Sequence, residues 1–215
     1  MDILMITSII GTVAFSLSGA IVAIEEHYDM LGITVLGLVT AFGGGVLRNL
    51  MLDFPMSIFW EQTNLLYVSF GTILLVYLFP DKATKWKKLE ITSDAIGLAA
   101  FSISGAMYGM EAFHHLGPAV VAAILTGTGG GVIRDLLAGK KPSVLCAEVY
   151  GSWSILIAVV IYYTKPVHPS FYLIIIGLTI VLRLAGLTYN WNLPKSSVFI
   201  KQGIPSIKRN MNENE

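Results

Sequence analysis

The sequence predicts an all-α integral membrane protein: seven transmembrane helices, laid out as an inverted repeat of two three-helix units plus a seventh helix. Three observations lead there. The 215 residues are 54% hydrophobic and only 13% charged, whereas soluble domains carry about 25% charged residues. The apolar residues gather in seven stretches, each close to the length of a bilayer core. Two blocks of the first half recur, in register, in the second.

A hydrocarbon core of about 30 Å needs about 20 mostly apolar helical residues. Stretches 3–24, 31–52, 63–80, 92–110, 116–138, 147–164 and 170–189 meet that requirement. Between them stand turn and charge signals, among them Glu25-Glu26-His27-Tyr28-Asp29, Asp53-Phe54-Pro55, His114-His115 and Gly139-Lys140-Lys141-Pro142. The first run opens on an acidic Met1-Asp2 and outlasts the apolar core of a signal peptide, so it reads as a span.

Basic residues fix the expected orientation, because short cytoplasmic segments collect them. With the N-terminus outside, the inward segments hold Lys82, Lys85, Lys87, Lys88, Lys140, Lys141, Lys195, Lys201, Lys208 and Arg209. The outward loops hold Lys165, and Arg48, Arg134 and Arg183 fall inside spans. The expectation is a multi-pass inner (cytoplasmic) membrane protein with its N-terminus outside and its C-terminus in the cytoplasm.

The repeat has a constant offset of 86 residues. GTVAFSLSGAIVAIE at 11–25 returns as GLAAFSISGAMYGME at 97–111, with eight of fifteen positions identical. TAFGGGVLRNL at 40–50 returns as TGTGGGVIRDL at 126–136, with seven of eleven identical. Unrelated apolar helices share leucines and valines, not a triple glycine and an arginine in register. Each unit has an odd number of spans, so the second enters the membrane from the opposite face, an arrangement recurrent among transporters. The expected units are 1–86 and 87–166, then a seventh helix at 167–191 and a polar cytoplasmic tail at 192–215.

Gly43, Gly44 and Gly45 in the second span, and Gly129, Gly130 and Gly131 in the fifth, are the main candidate site. Glycine in a helix costs about 0.5–1 kcal/mol relative to alanine. Three together therefore predict a local break, which lipid tolerates only where protein buries it or water lines it. One reading has two facing breaks that offer carbonyls to a cation; the other is close helix packing through small residues. Arg48 and Arg134 follow three residues on, about 4.5 Å along the axis, and a charge at that depth must be paired or wetted. They read as gating charges or as structural ties. Asp135 is adjacent to Arg134, and neighbours on a helix point apart, so its expected partner lies elsewhere. Its equivalent is the neutral Asn49. Thr40, Thr126, Ser16, Ser18, Ser102 and Ser104 form a hydroxyl stripe that either meets ions or bonds a carbonyl one turn back.

Other classes find little support. The formal net charge is zero, with no basic face for nucleic acid. The single cysteine, Cys146, excludes an intrachain disulfide. No spacing suggests a metal or cofactor site, and no nucleophile–base constellation suggests an enzyme.

The paired AFS-x-SGA and T-x-x-GGG-x-x-R-[ND] blocks resemble the prokaryotic members of the trimeric intracellular cation channel family. They are also similar to the bacterial membrane family whose domain is labelled a glycine transporter. The resemblance covers residues 3–190. It implies a homotrimer of seven-helix protomers in the lipid bilayer, each with a pore passing a monovalent cation, potassium before sodium. By motif, the six glycines line that pore with Arg48 and Arg134 beside them. Asn49 departs from the aspartate expected there. The alternative is a secondary carrier for a small amino acid such as glycine.

Overall fold

A computed structural model describes residues 3–79, 83–146, 149–165, 168–189 and 191. Among these the chain is helical, with α1 Ile3–Glu25, α2 Met30–Met51, α3 Ser57–Glu61, α4 Thr63–Leu78, α5 Ala83–Phe113, α6 Leu116–Leu137, α7 Ser143–Cys146, α8 Tyr150–Thr164 and α9 Pro169–Tyr189. The expected tail at 192–215 lies outside the described residues.

Local chemistry sets several boundaries. Asp29 caps α2, its carboxylate accepting from the Gly32 amide at 2.7 Å, which satisfies one of the orphan donors at a helix start. Asp53 (φ 54°) and Gly139 (φ 69°), 86 residues apart, both take the left-handed conformation just past the ends of α2 and α6. Such a residue stops a helix by turning the chain.

Helices α1, α2, α5, α6 and α9 are long and apolar enough to cross a bilayer, α5 over Trp86–Phe113. Helices α4 and α8 are apolar but shorter, at 16 and 15 residues. All seven overlap the stretches read from the sequence, with α5 starting well before its apolar part; α3 and α7 are short additions inside the connections.

The outside of the bundle is apolar and its inside is not. Leu75, Ile174, Leu178 and Val181 are exposed, whereas Thr7, Ser16, Ser18, Thr40, Arg48, Asp94, Arg134, Asp135 and Arg183 are buried. In water that distribution would be inverted; in lipid it hides the polar groups. Helices α1, α2, α5 and α6 form the centre, α4 packs on α1 and α2, α8 packs on α5 and α6, and α9 packs on α5.

Packing at the centre is reciprocal. The Phe15 and Phe101 rings meet edge to face at 5.2 Å. A β-carbon on Gly97 would run into Phe15, and one on Gly11 into Phe101. Ser16 hydrogen-bonds Ser69 at 2.6 Å, and Ser102 bonds Ser154 at 2.8 Å. These contacts recur at the 86-residue offset, within one residue.

Candidate functional site

The expected breaks at the glycine triplets do not occur: α2 and α6 run as uninterrupted helices through both. The reason is tertiary. A β-carbon on Gly44 would strike the Thr126 carbonyl, and one on Gly130 the Thr40 carbonyl. The triplets thus let two helix backbones touch, and that packing outweighs glycine's low helix propensity. Thr40 and Thr126 bond back to the carbonyls of Leu36 and Ala122 at 2.6 and 2.7 Å, the quieter of the two readings.

The last glycine of each triplet differs from the first two. Among the described residues nothing lies within 4 Å of a β-carbon built on Gly45, whereas one on Gly131 would face the Tyr150 hydroxyl at 3.1 Å. Each opens toward a polar centre organised by the arginine three residues on.

Around Arg134, Nε and Nη2 donate to Asp135 Oδ1 at 2.9 and 2.7 Å, and Nη1 donates to Asp94 Oδ1 at 2.7 Å and Ser18 Oγ at 2.5 Å. Arg183, from α9, donates Nη2 to Asp94 Oδ2 at 2.5 Å and stacks on Tyr150 with 4.0 Å to the ring centroid. The other oxygen of Asp135 accepts from the Ser143 amide and hydroxyl at 2.8 and 3.0 Å. Two guanidinium groups and two carboxylates thus neutralise one another in a buried cluster that ties α1, α5, α6 and α9 together. Sequence reasoning placed the partner of Asp135 away from Arg134, and the structure corrects this. Helical neighbours do diverge at Cβ, but the long arginine stem folds back and brings its fork to the adjacent carboxylate.

Around Arg48 the same architecture carries less charge. Its Nε and Nη2 donate to Asn49 Oδ1 at 3.0 and 2.8 Å. The guanidinium lies 4.0 Å from the Tyr108 centroid and 5.9 Å from that of Phe54. Among the described residues no carboxylate pairs with it, although it is only 5% exposed. A cavity of about 40 Å³ adjoins it, lined by Ser8, Thr12, Gly45, Asn49 and Ser104 among others. The Ser8 and Ser104 hydroxyls stand 3.5 Å apart.

Asp94, Tyr108 and Tyr150 are not among the residues expected from the sequence. The signal for Asp94 was present: an acid within a predicted span, at the position 86 residues after Ser8. Among the described residues no group of three histidine, cysteine or acidic side chains could hold a metal ion.

Buried hydroxyls and arginines inside a bundle with an apolar exterior define a membrane protein with a polar interior. Sequence relatives place it more closely. The family model described as Glycine transporter matches residues 5–81 and 91–166, and the chain belongs to that family. It is 47% identical over 191 residues to the UPF0126 membrane protein YvgT of Bacillus subtilis, covering 88% of this chain and 95% of that one. It is 36% identical over 197 residues to the UPF0126 inner membrane protein YadS of Escherichia coli, covering 86% and 92%. Among solved structures it resembles a prokaryotic TRIC channel at 30% identity and a TM-score of 0.81, covering 89% of this chain and 98% of the other. The trimeric intracellular cation channel orthologue from Rhodobacter sphaeroides matches at 25% identity and 0.80, covering 88% and 100%. These likenesses place the chain in the TRIC family of cation channels.

Proposed function

We propose that the protein is a passive channel for monovalent cations, potassium before sodium, with one pore in each protomer of a homotrimer. The carrying observation is the likeness, over nearly the whole chain, to prokaryotic TRIC channels. The polar cavity at Gly45, between α1, α2 and α5, supports a wet route at the glycine positions. The pore runs beside the closed α2–α6 contact, past Gly45 and its flanking hydroxyls, rather than through a break in either helix.

The same reading makes the bundle seven crossings in two inverted units, 1–86 and 87–166, with a seventh helix at 167–191 and the N-terminus outside. The two segments matched by the family model start 86 residues apart, which supports that division. So do the reciprocal contacts at Gly11 and Gly97, and at Gly44 and Gly130.

Purified protein in a planar bilayer is expected to give unitary potassium currents. Bulky replacements at both Gly44 and Gly130 are expected to abolish them. Currents that survive both replacements exclude the α2–α6 seam as the route. A small-amino-acid carrier is the second reading, favoured by the family description and by Arg48, a guanidinium with no carboxylate partner among the described residues. Saturable glycine uptake into liposomes without unitary currents would establish it.

A further inference from the structure

We infer that Arg48 is the receptor for one small monovalent anion, bound in the cavity between α1, α2 and α5. A buried guanidinium inside lipid needs a counter-charge or water. Among the described residues Arg48 has only the neutral Asn49 amide and the aromatic faces of Tyr108 and Phe54. Its Nη1 donates to no described residue, whereas the Nη1 of Arg134, 86 positions on, meets Asp94 and Ser18.

The register says what is missing. The residue 86 before Asp94 is Ser8, and the residue 86 after Ser18 is Ser104. Both line the Arg48 cavity. The cavity therefore lies where the other half supplies a carboxylate. An independent observation agrees: Thr12 lines the same cavity, is 1% exposed, and its hydroxyl has no hydrogen-bond partner among the described residues. A guanidinium fork with a free hydroxyl beside it suits a carboxylate or a halide.

Size limits the choice. About 40 Å³ at the guanidinium is room for roughly two or three waters, enough for chloride, formate or the carboxylate end of a small amino acid and too little for the whole of gluconate. A wider cavity of about 290 Å³ shares Ser8, Gln62 and Tyr108 with it and supplies an approach, with Glu61 on its rim.

The test needs no transport. The unfolding midpoint of the full-length protein in detergent is measured at fixed sodium and ionic strength while gluconate is replaced by chloride or formate, or while glycine is added. A ligand that binds only the folded state raises the midpoint with its occupancy, so a saturable rise is expected with chloride, formate or both. Saturation with chloride alone assigns a halide site; saturation with formate and glycine assigns carboxylates. Ser8→Asp, which installs the carboxylate that Asp94 gives Arg134, is expected to weaken the apparent affinity at least tenfold, as is Arg48→Gln. The nearly isosteric Thr12→Val removes only the free hydroxyl and is expected to weaken it several-fold. A wild-type midpoint that fails to saturate with all three solutes overturns the inference, as do titrations unchanged in the variants that fold. Potassium currents decide the channel reading separately, and neither result determines the other.

Discussion

Arg48 and Arg134 stand at equivalent positions 86 residues apart, yet one is held by two carboxylates and the other by an amide. Much of the helix packing is alike in the two halves: the contacts of Gly11 and Gly97 and of Gly44 and Gly130, the phenylalanine pair and the cross-helix serine pairs. The charges are not. Close approach of helices is a constraint on Cβ atoms and tolerates few changes. Electrostatic neutrality is a property of a cluster and is open to change one side chain at a time. Of the two equivalent positions, one thus lies in a neutral centre and the other in a centre with surplus positive charge.

The comparison breaks most readily at Asp94. Asp94→Asn leaves Arg134 with one carboxylate and Arg183 with none among the described residues. Removing one partner of a buried ion pair costs about 3–5 kcal/mol, so the unfolding midpoint in detergent is expected to fall sharply. A midpoint close to wild type would show that the cluster does not hold α9 to the bundle.

Next in size is the glycine seam. Gly44→Ala and Gly130→Ala drive a methyl into a carbonyl of the facing helix and are expected to cost about 1–3 kcal/mol each, as overpacking does. Gly45→Ala enters open space and is expected to stabilise by about 0.5–1 kcal/mol through helix propensity. Equal effects at Gly44 and Gly45 would contradict the assignment of packing to one and cavity to the other.

Asn49→Asp sharpens the comparison by giving both arginines the same neighbour. A charge-assisted bond replaces a neutral one, with an expected gain of about 1 kcal/mol in thermal stability and a weaker dependence on added anion. A loss of stability would show that Arg48 is already neutralised in the folded protein.

The smallest effect lies outside the bilayer, where Lys140 reaches Glu26 at 2.9 Å and Glu25 at 3.5 Å. The hydrogen bond and the charge of Lys140 hold the Glu26 carboxyl below its ordinary value of 4.5. A depressed acid contributes stability that is complete above that value and fades as pH falls through the lowered one. Burial pulls Lys140 down, but Glu26 and Glu25 raise it on balance, so its share fades only as pH rises through the raised value. The midpoint difference between wild type and Glu26→Gln is expected to persist at neutral pH and vanish in acid.

Much of this was legible in the chain. Apolar length alone placed the seven main helices to within a few residues, except at α5, which starts well before its apolar part. The repeated blocks marked Arg48 and Arg134 as equivalent positions, 86 residues apart. What escaped was tertiary. Glycine propensity is local and argued for breaks, whereas α2 and α6 stay whole because each covers the other. Asp94 sits beside Thr92 and Ser93 at the polar margin of its span, where nothing local distinguishes a buried acid from a solvated one. The Arg134–Asp135 bond depends on side-chain reach, which residue spacing does not record.

The short helices α4 and α8 carry a consequence for the surrounding lipid. At 16 and 15 residues they reach about 22–24 Å along their axes, roughly a turn less than a hydrocarbon core of about 30 Å. On the seven-crossing reading, lipid beside them must thin or let headgroups dip inward. Acyl-chain length becomes a control on the protein: reconstitution into thinner bilayers should relax the mismatch at α4 and α8, while thick, sterol-rich ones load it onto the two helices that brace the centre.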